Sequence, residues 1–209
     1  MLLFFLVPLA VLGVLSTALV VFLLGVPLVT LPHGKSGQPR KLMAGRYTAP
    51  PPPTDVVAII VGLQIRQLWR VTEWVPVVIA NLSLLYGLSQ GVGGEGFLSS
   101  QLFVGNPLIN IQYWRSFDDL VAYSRRPANQ HFVRWVKFSQ KLKAGNVKSI
   151  GLFHEVYKAQ PGTFEAIYLQ MEPTGLGLAC GMAPADTEST AAQRFEMRRP
   201  GTPQTNHKY

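Results

Sequence analysis

The chain has 209 residues, a formal net charge of +8 and a single cysteine, Cys180. That length allows one ordinary domain with an appendage, and one cysteine excludes both an intrachain disulfide framework and a Cys-rich zinc site. The positive charge gathers towards the two ends with no nucleic-acid-binding motif beside it, so no nucleic acid partner is expected.

Residues 2–31 carry no charged side chain, and roughly 20 apolar residues suffice to span a bilayer. A cleaved signal peptide would have a positive n-region and a shorter apolar core. Residues 1–31 therefore read as an uncleaved transmembrane anchor. Lys35, Arg40, Lys41 and Arg46 follow, with no acid before Asp55. By the positive-inside rule the domain behind them faces the cytosol, at the surface of the endoplasmic reticulum. Residues 32–54 are basic and end in a proline run, which predicts a stiff linker. The domain is placed at residues 55–178, and residues 179–209 are expected to form a loosely ordered basic tail.

Residues 55–63 are a near-continuous apolar run rich in β-branched side chains, the pattern of a strand buried on both faces. A helix is predicted over 72–90. It is apolar nearly all round, which places it deep in a core, against another chain or on a membrane surface. Residues 91–96 spell G-x-G-x-x-G, but they leave a helix and precede a strand at 97–104. A dinucleotide loop needs the reverse order, so these glycines are read as a connector. Alternation in residues 108–114 sets Ile109, Ile111 and Tyr113 opposite Asn110, Gln112 and Trp114. Ser116 stands as an N-cap with Asp118 and Asp119 in the first turn, and Pro127 ends that helix. Asn129 caps the next one, whose apolar face carries His131, Trp135, Phe138 and Leu142, with Arg134, Lys137 and Lys141 towards solvent. In a strand at 148–157, Ile150, Leu152, His154 and Val156 share one face, and Phe153, Glu155 and Tyr157 the other. Gln160-Pro161-Gly162 is a turn, and residues 163–171 are expected to return antiparallel as a hairpin. A Gly-rich loop holding Cys180 follows Pro173.

The order β-α-β-β-α-β with an extra strand is that of an α+β, ferredoxin-like split βαβ sheet. Two helices cover one face, so the other is expected to meet a second copy in a homodimer.

Residues 45–49 (GRYTA), 64–69 (QIRQLW), 113–117 (YWRSF), His131 with Trp135, 154–157 (HEVY) and 175–177 (GLG) carry a resemblance. With them the chain resembles the antibiotic-biosynthesis-monooxygenase superfamily, and within it the fungal membrane-anchored monooxygenases of secondary-metabolite clusters of the fumagillin type. The resemblance covers residues 45–177. It implies a dimeric α+β barrel, a pocket between helices and sheet, and a hydrophobic polyketide or terpenoid intermediate as substrate. It also implies dioxygen as co-substrate without metal or flavin, although other members bind haem through a helical histidine. Similar cluster enzymes act as cyclases with no redox step. Three functions stay open: a monooxygenase-type tailoring enzyme, a cofactor-free cyclase, and a non-catalytic membrane scaffold.

His131, on an apolar helix face, suits a general base or a haem ligand, and equally a core histidine. His154, Glu155 and Arg115 form the other candidate catalytic set, with Arg115 expected to pair with Glu155 at the sheet edge. Tyr113, Trp114, Trp135, Phe138 and Tyr157 are candidate substrate-binding residues, or plain core. Asp118 and Asp119 read as capping charges. No flavin, nicotinamide, nucleophile-triad or metal motif is visible, so no cofactor-binding or metal residues are assigned.

Overall fold

The computed structural model describes residues 30–34, 41–126, 131–185 and 190–192, with backbone alone at 30–34, 131 and 132. The charge-free run up to residue 29, the Asn129 cap and the end of the tail lie outside the described residues. The elements run β1 (Thr30–Gly34), β2 (Met43–Thr48), β3 (Val56–Ile65), α1 (Val71–Ser89), β4 (Phe97–Phe103), β5 (Leu108–Trp114), α2 (Phe117–Arg125), α3 (His131–Lys143), β6 (Ile150–Ala159), β7 (Tyr168–Met171), α4 (Gly175–Cys180) and β8 (Ala183–Pro184).

From β3 to β6 this is the expected β-α-β-β-α-β order, with α2 and α3 together in the place of the second helix. The main sheet has the strand order β1-β4-β5-β3-β6, every neighbouring pair antiparallel. β3 lies inside the sheet, between β5 and β6, where its apolar run tolerates cover on both faces. It pairs with β5 from Val57↔Trp114 to Leu63↔Leu108, and with β6 from Val56↔Ala159 to Ile65↔Ile150. Trp114 packs edge-on against Phe97 and beside Tyr123. Val57, Leu88 and Leu120 complete that cluster at one end of the sheet. Leu63, Leu102, Leu108, Val147 and Ile150 form a second cluster at the other end, with Trp74, Val77 and Phe138 packed against it.

α2 starts as its sequence dictates. Ser116 Oγ accepts from the Asp119 amide at 3.0 Å and donates to Asp119 Oδ2 at 2.7 Å. That reciprocal cap satisfies an amide the first helical turn leaves without a partner.

Several expectations fail. The stretch expected to be linker, residues 32–54, holds β2 and most of β1, and β1 begins inside the expected anchor at Thr30. The hairpin does not form. Its turn does, with the Thr163 amide donating to Gln160 O at 3.0 Å, but β7 pairs with β2 instead of β6. The reason is burial. Residues 164–166 cross the face of the sheet opposite α1, α2 and α3, where Thr48 Oγ1 donates to Ala166 O at 2.7 Å. Tyr168 is then buried, its hydroxyl accepting from the Gly177 amide at 2.7 Å. A Cβ on Gly177 would lie 2.9 Å from that ring, so the close approach requires glycine. The expected loop around Cys180 is α4, and β8 from the expected tail joins β2 in a sheet ordered β7-β2-β8.

This second layer covers the β4–β5 part of the face expected to meet a second copy. Along β6, Phe153 and Tyr157 stay exposed.

Candidate active site

Between the two core clusters the helices stand off the sheet and leave a cavity of about 790 Å³, open to solvent where His154 and Val156 line it. Its floor follows from strand register. Gln112 on β5 pairs with Ile59 on β3, which pairs with Val156 on β6. In the next row Asn110 pairs with Val61, which pairs with His154. The apolar centre of the floor is thus flanked by amides on one side and an imidazole on the other. The flanking strands lie two strand spacings apart, about 10 Å. α1 contributes Val77, Leu84 and Leu85 to the walls, α2 contributes Leu120, and α3 contributes Trp135 and Phe138.

The amides are held in one orientation. Trp114 Nε1 can only donate, and it does so to Gln112 Oε1 at 3.0 Å. Gln112 Nε2 must then face Asn110 Oδ1, to which it donates at 2.7 Å. Asn110 Nδ2 in turn donates to Gln101 O at 3.1 Å. Asn110 is buried, and the chain of bonds meets the cost of placing amides on the inner face of a sheet. Gln112 Nε2 keeps a second N–H for whatever enters the cavity.

Charge enters from the helices. Arg134, Lys137 and Lys141 recur at i, i+3 and i+7 on α3 and all line the cavity, as does Arg125 of α2. Lys137 and Lys141 are exposed, as expected, whereas Arg134, also expected towards solvent, is half-buried. Arg134 also braces α3 on α1, its Nη1 donating to Ala80 O at 3.2 Å. Glu73 is the acid of the lining, and it is committed: its Oε2 accepts from the amides of Lys148 at 2.9 Å and Ser149 at 3.1 Å, and its Oε1 meets Arg70 at 2.5 Å. The Lys148 amide bond leads in lowering its pKa to about 2, from an ordinary value of 4.5. Tyr123, also on the lining, has its phenol pushed up to about 12 by burial.

The expected site residues disperse. His154 lines the cavity, as do Trp135 and Phe138. α3 begins at His131, whose side chain lies outside the described residues. Arg115 does not meet Glu155. Its guanidinium grips Asp119 at 3.0 and 2.9 Å, lowering that carboxyl's pKa, because Asp119 on the first turn of α2 is four residues away. Glu155 points to the opposite face from His154 and accepts from the Tyr157 hydroxyl at 2.6 Å, which raises the phenol's pKa. Trp114 is fully buried and orients Gln112 rather than lining a pocket. Tyr113 faces the other side of the sheet, where it borders a smaller cavity of about 320 Å³ beside Thr174 and Gly175. Burial raises its pKa. Asn110 and Gln112 were visible in the sequence only as the polar half of an alternating strand.

No curated protein matches the chain. Among solved structures, an aldoxime dehydratase superposes with a TM-score of 0.56 at 16% identity, over 78% of this chain and 48% of that one. The chain thus spans about half the length of that protein, and the likeness is one of fold. SnoaB, a cofactor-independent oxygenase from Streptomyces nogalater, matches with a TM-score of 0.32 at 15% identity, over 51% of this chain and 94% of its own. The family model described as monooxygenase af470-like matches residues 56–176, from β3 into the first turn of α4. That match takes in the whole cavity floor and more than half of the chain, which belongs to the monooxygenase af470-like family.

Proposed function

We propose that this monooxygenase-type enzyme oxidises an activated carbon of a hydrophobic polyketide or terpenoid intermediate, using dioxygen and no resident cofactor. The family match supports the reaction class. The observation that carries the reading is the cavity floor, where Gln112 and His154 flank the apolar strip of Ile59 and Val61. A flat, apolar substrate lies over that strip with a polar group at each side. Imidazole is the side chain suited to moving a proton near neutral pH. His154 takes a proton from a methylene made acidic by neighbouring unsaturation. The second N–H of Gln112 stabilises the enolate oxygen that forms.

The electron-rich anion then reduces dioxygen. A carbon–oxygen bond forms, the dioxygen bond breaks, and water leaves, so that the methylene and dioxygen become a ketone carbonyl and one water. The substrate supplies every electron, which is why neither flavin nor metal is required. In this reading the charge-free run ahead of β1, residues 1–29, anchors the enzyme in the endoplasmic reticulum membrane with the domain in the cytosol, and two copies associate through the exposed part of the sheet.

The test is His154→Ala and Gln112→Met in the full chain, assayed by mass spectrometry of the product formed from candidate polyketide and terpenoid precursors. Losing a general base should cost roughly 100-fold or more in turnover, and losing the amide donor about as much, with melting unchanged for His154→Ala. Full turnover in folded His154→Ala would remove the imidazole from the reaction. A product isomeric with its precursor would make the enzyme a cyclase.

A further inference from the structure

The outer face of α1 is the largest feature that the active site leaves unexplained. Val71, Val75, Ile79, Leu82 and Tyr86 recur at helical spacing down the side facing away from the sheet. Ile79 is 58% and Tyr86 68% exposed, and Trp69, just ahead of the helix, is 75% exposed. The stripe from Val71 to Tyr86 is about 22 Å long at 1.5 Å per residue. Glu73 is the one charged side chain of α1, and it is turned to the start of β6. Such a continuous apolar patch on a surface helix marks a docking face. The inner side of the same helix packs on the sheet through Trp74, Val77, Val78 and Leu85. α1 therefore cannot cross a bilayer without leaving its own core.

The surroundings say what covers the stripe. Thr30 pairs with Phe103 at the end of β4. Asn106, three residues on, holds the end of β3 by bonds to both backbone atoms of Ile65, at 3.0 and 2.8 Å. The charge-free run of residues 2–29 thus joins the domain at the sheet end from which α1 departs. Arg66 and Arg70 lie just ahead of α1, Arg70 paired with Glu73 of its first turn, and the Lys148 amide binds the same carboxylate, so three cationic residues sit at that end. Cations there suit anionic lipid headgroups. Trp69 and Tyr86, at opposite ends of the stripe, are the amphipathic aromatics that favour the boundary between headgroups and acyl chains.

We propose that the outer face of α1, with Trp69, lies flat in the membrane interface and holds the active-site cavity directly above the lipid. The proposal rests on the run ahead of β1, residues 1–29, being a membrane anchor, and it adds an orientation to that reading. A helix of this kind sinks about 5–10 Å into the headgroup boundary. An apolar intermediate dissolved in the bilayer then has a short path past α1 into a cavity whose wall is that helix's inner side.

The test uses the full chain in vesicles of phosphatidylcholine with phosphatidylserine, washed at alkaline pH, with Cys180→Ser and one spin label at position 79, 86 or 160. Labels at 79 and 86 should be several-fold more accessible to oxygen than to a water-soluble nickel complex, at similar depth, and the label at 160 the reverse. Nickel-accessible labels at 79 and 86 on a chain that resists the wash would overturn the docking and leave the anchor standing. A chain that washes off would overturn both. Depth that increases steadily from 79 to 86 means crossing, and shielding from both reagents means cover by a second copy. Either result contradicts the proposal.

Discussion

Gln112 presents a fixed donor because its neighbour is an indole. Trp114 lacks any acceptor, so the amide oxygen must face it and the amide nitrogen must face Asn110. Alternation in the sequence separated these polar residues from Ile109, Ile111 and Tyr113. It did not say which side the helices would cover, because period two defines two faces without ranking them. His154 was legible for the same reason and shares its face with Leu152 and Val156, as expected. Arg115 was misjudged because a helix-start carboxylate four residues away is a nearer partner than any across the sheet. Glu73 carries the clearest pH dependence. Its folded pKa of about 2 lies below its ordinary 4.5, so its contribution to stability is complete above about pH 4.5 and is lost as pH falls through about 2. Glu73→Gln should flatten the acid limb of a stability profile between those values. An unchanged acid limb would mean that its bonds to the start of β6 do not form in solution.

At the scale of elements, β3, α1, β4, β5, α2 and β6 were legible because each carries a local signal: an apolar run, a cap, a proline or an alternation. The second layer was not, because β2, β7 and β8 are short and their pairing is decided by what they bury. The turn at Gln160-Pro161-Gly162 fixes a change of direction and leaves the partner open. Tyr168 decides it, by filling the space under α4 and holding the Gly177 amide. Tyr168→Phe should strand that buried N–H and cost about 1–3 kcal/mol, read as a lower denaturant midpoint at constant slope. A wild-type midpoint would show that the Tyr168 hydroxyl does not hold the layer in place. α1 was read from sequence as apolar all round, and its exposure is the element-scale fact that a sequence alone cannot separate from burial.

For the whole molecule, the second layer of the chain covers part of the face expected to need a partner, and β6 is left with Phe153 and Tyr157 exposed at an open edge. A dimer in which these residues meet should dissociate in Phe153→Arg with Tyr157→Arg, seen as a halved mass by light scattering in detergent. An unaltered dimer would place the contact elsewhere, and a wild-type monomer would remove it. Topology has its own check. If the proposed anchor is right, the positive flank at Lys35, Arg40, Lys41 and Arg46 predicts a domain in the cytosol. Added protease should therefore digest it on sealed microsomes, whereas protection, or glycosylation at Asn81, would reverse the orientation.

The central claim is that the cavity over Ile59 and Val61 is an oxygenase site whose substrate supplies the electrons. It is tested most directly by supplying the full chain with candidate polyketide and terpenoid precursors under 18O2 and weighing the product. The account predicts one 18O atom in the product, absent in His154→Ala, from a purified enzyme with no haem Soret band. A product of unchanged mass, or oxygen drawn from water, would contradict it.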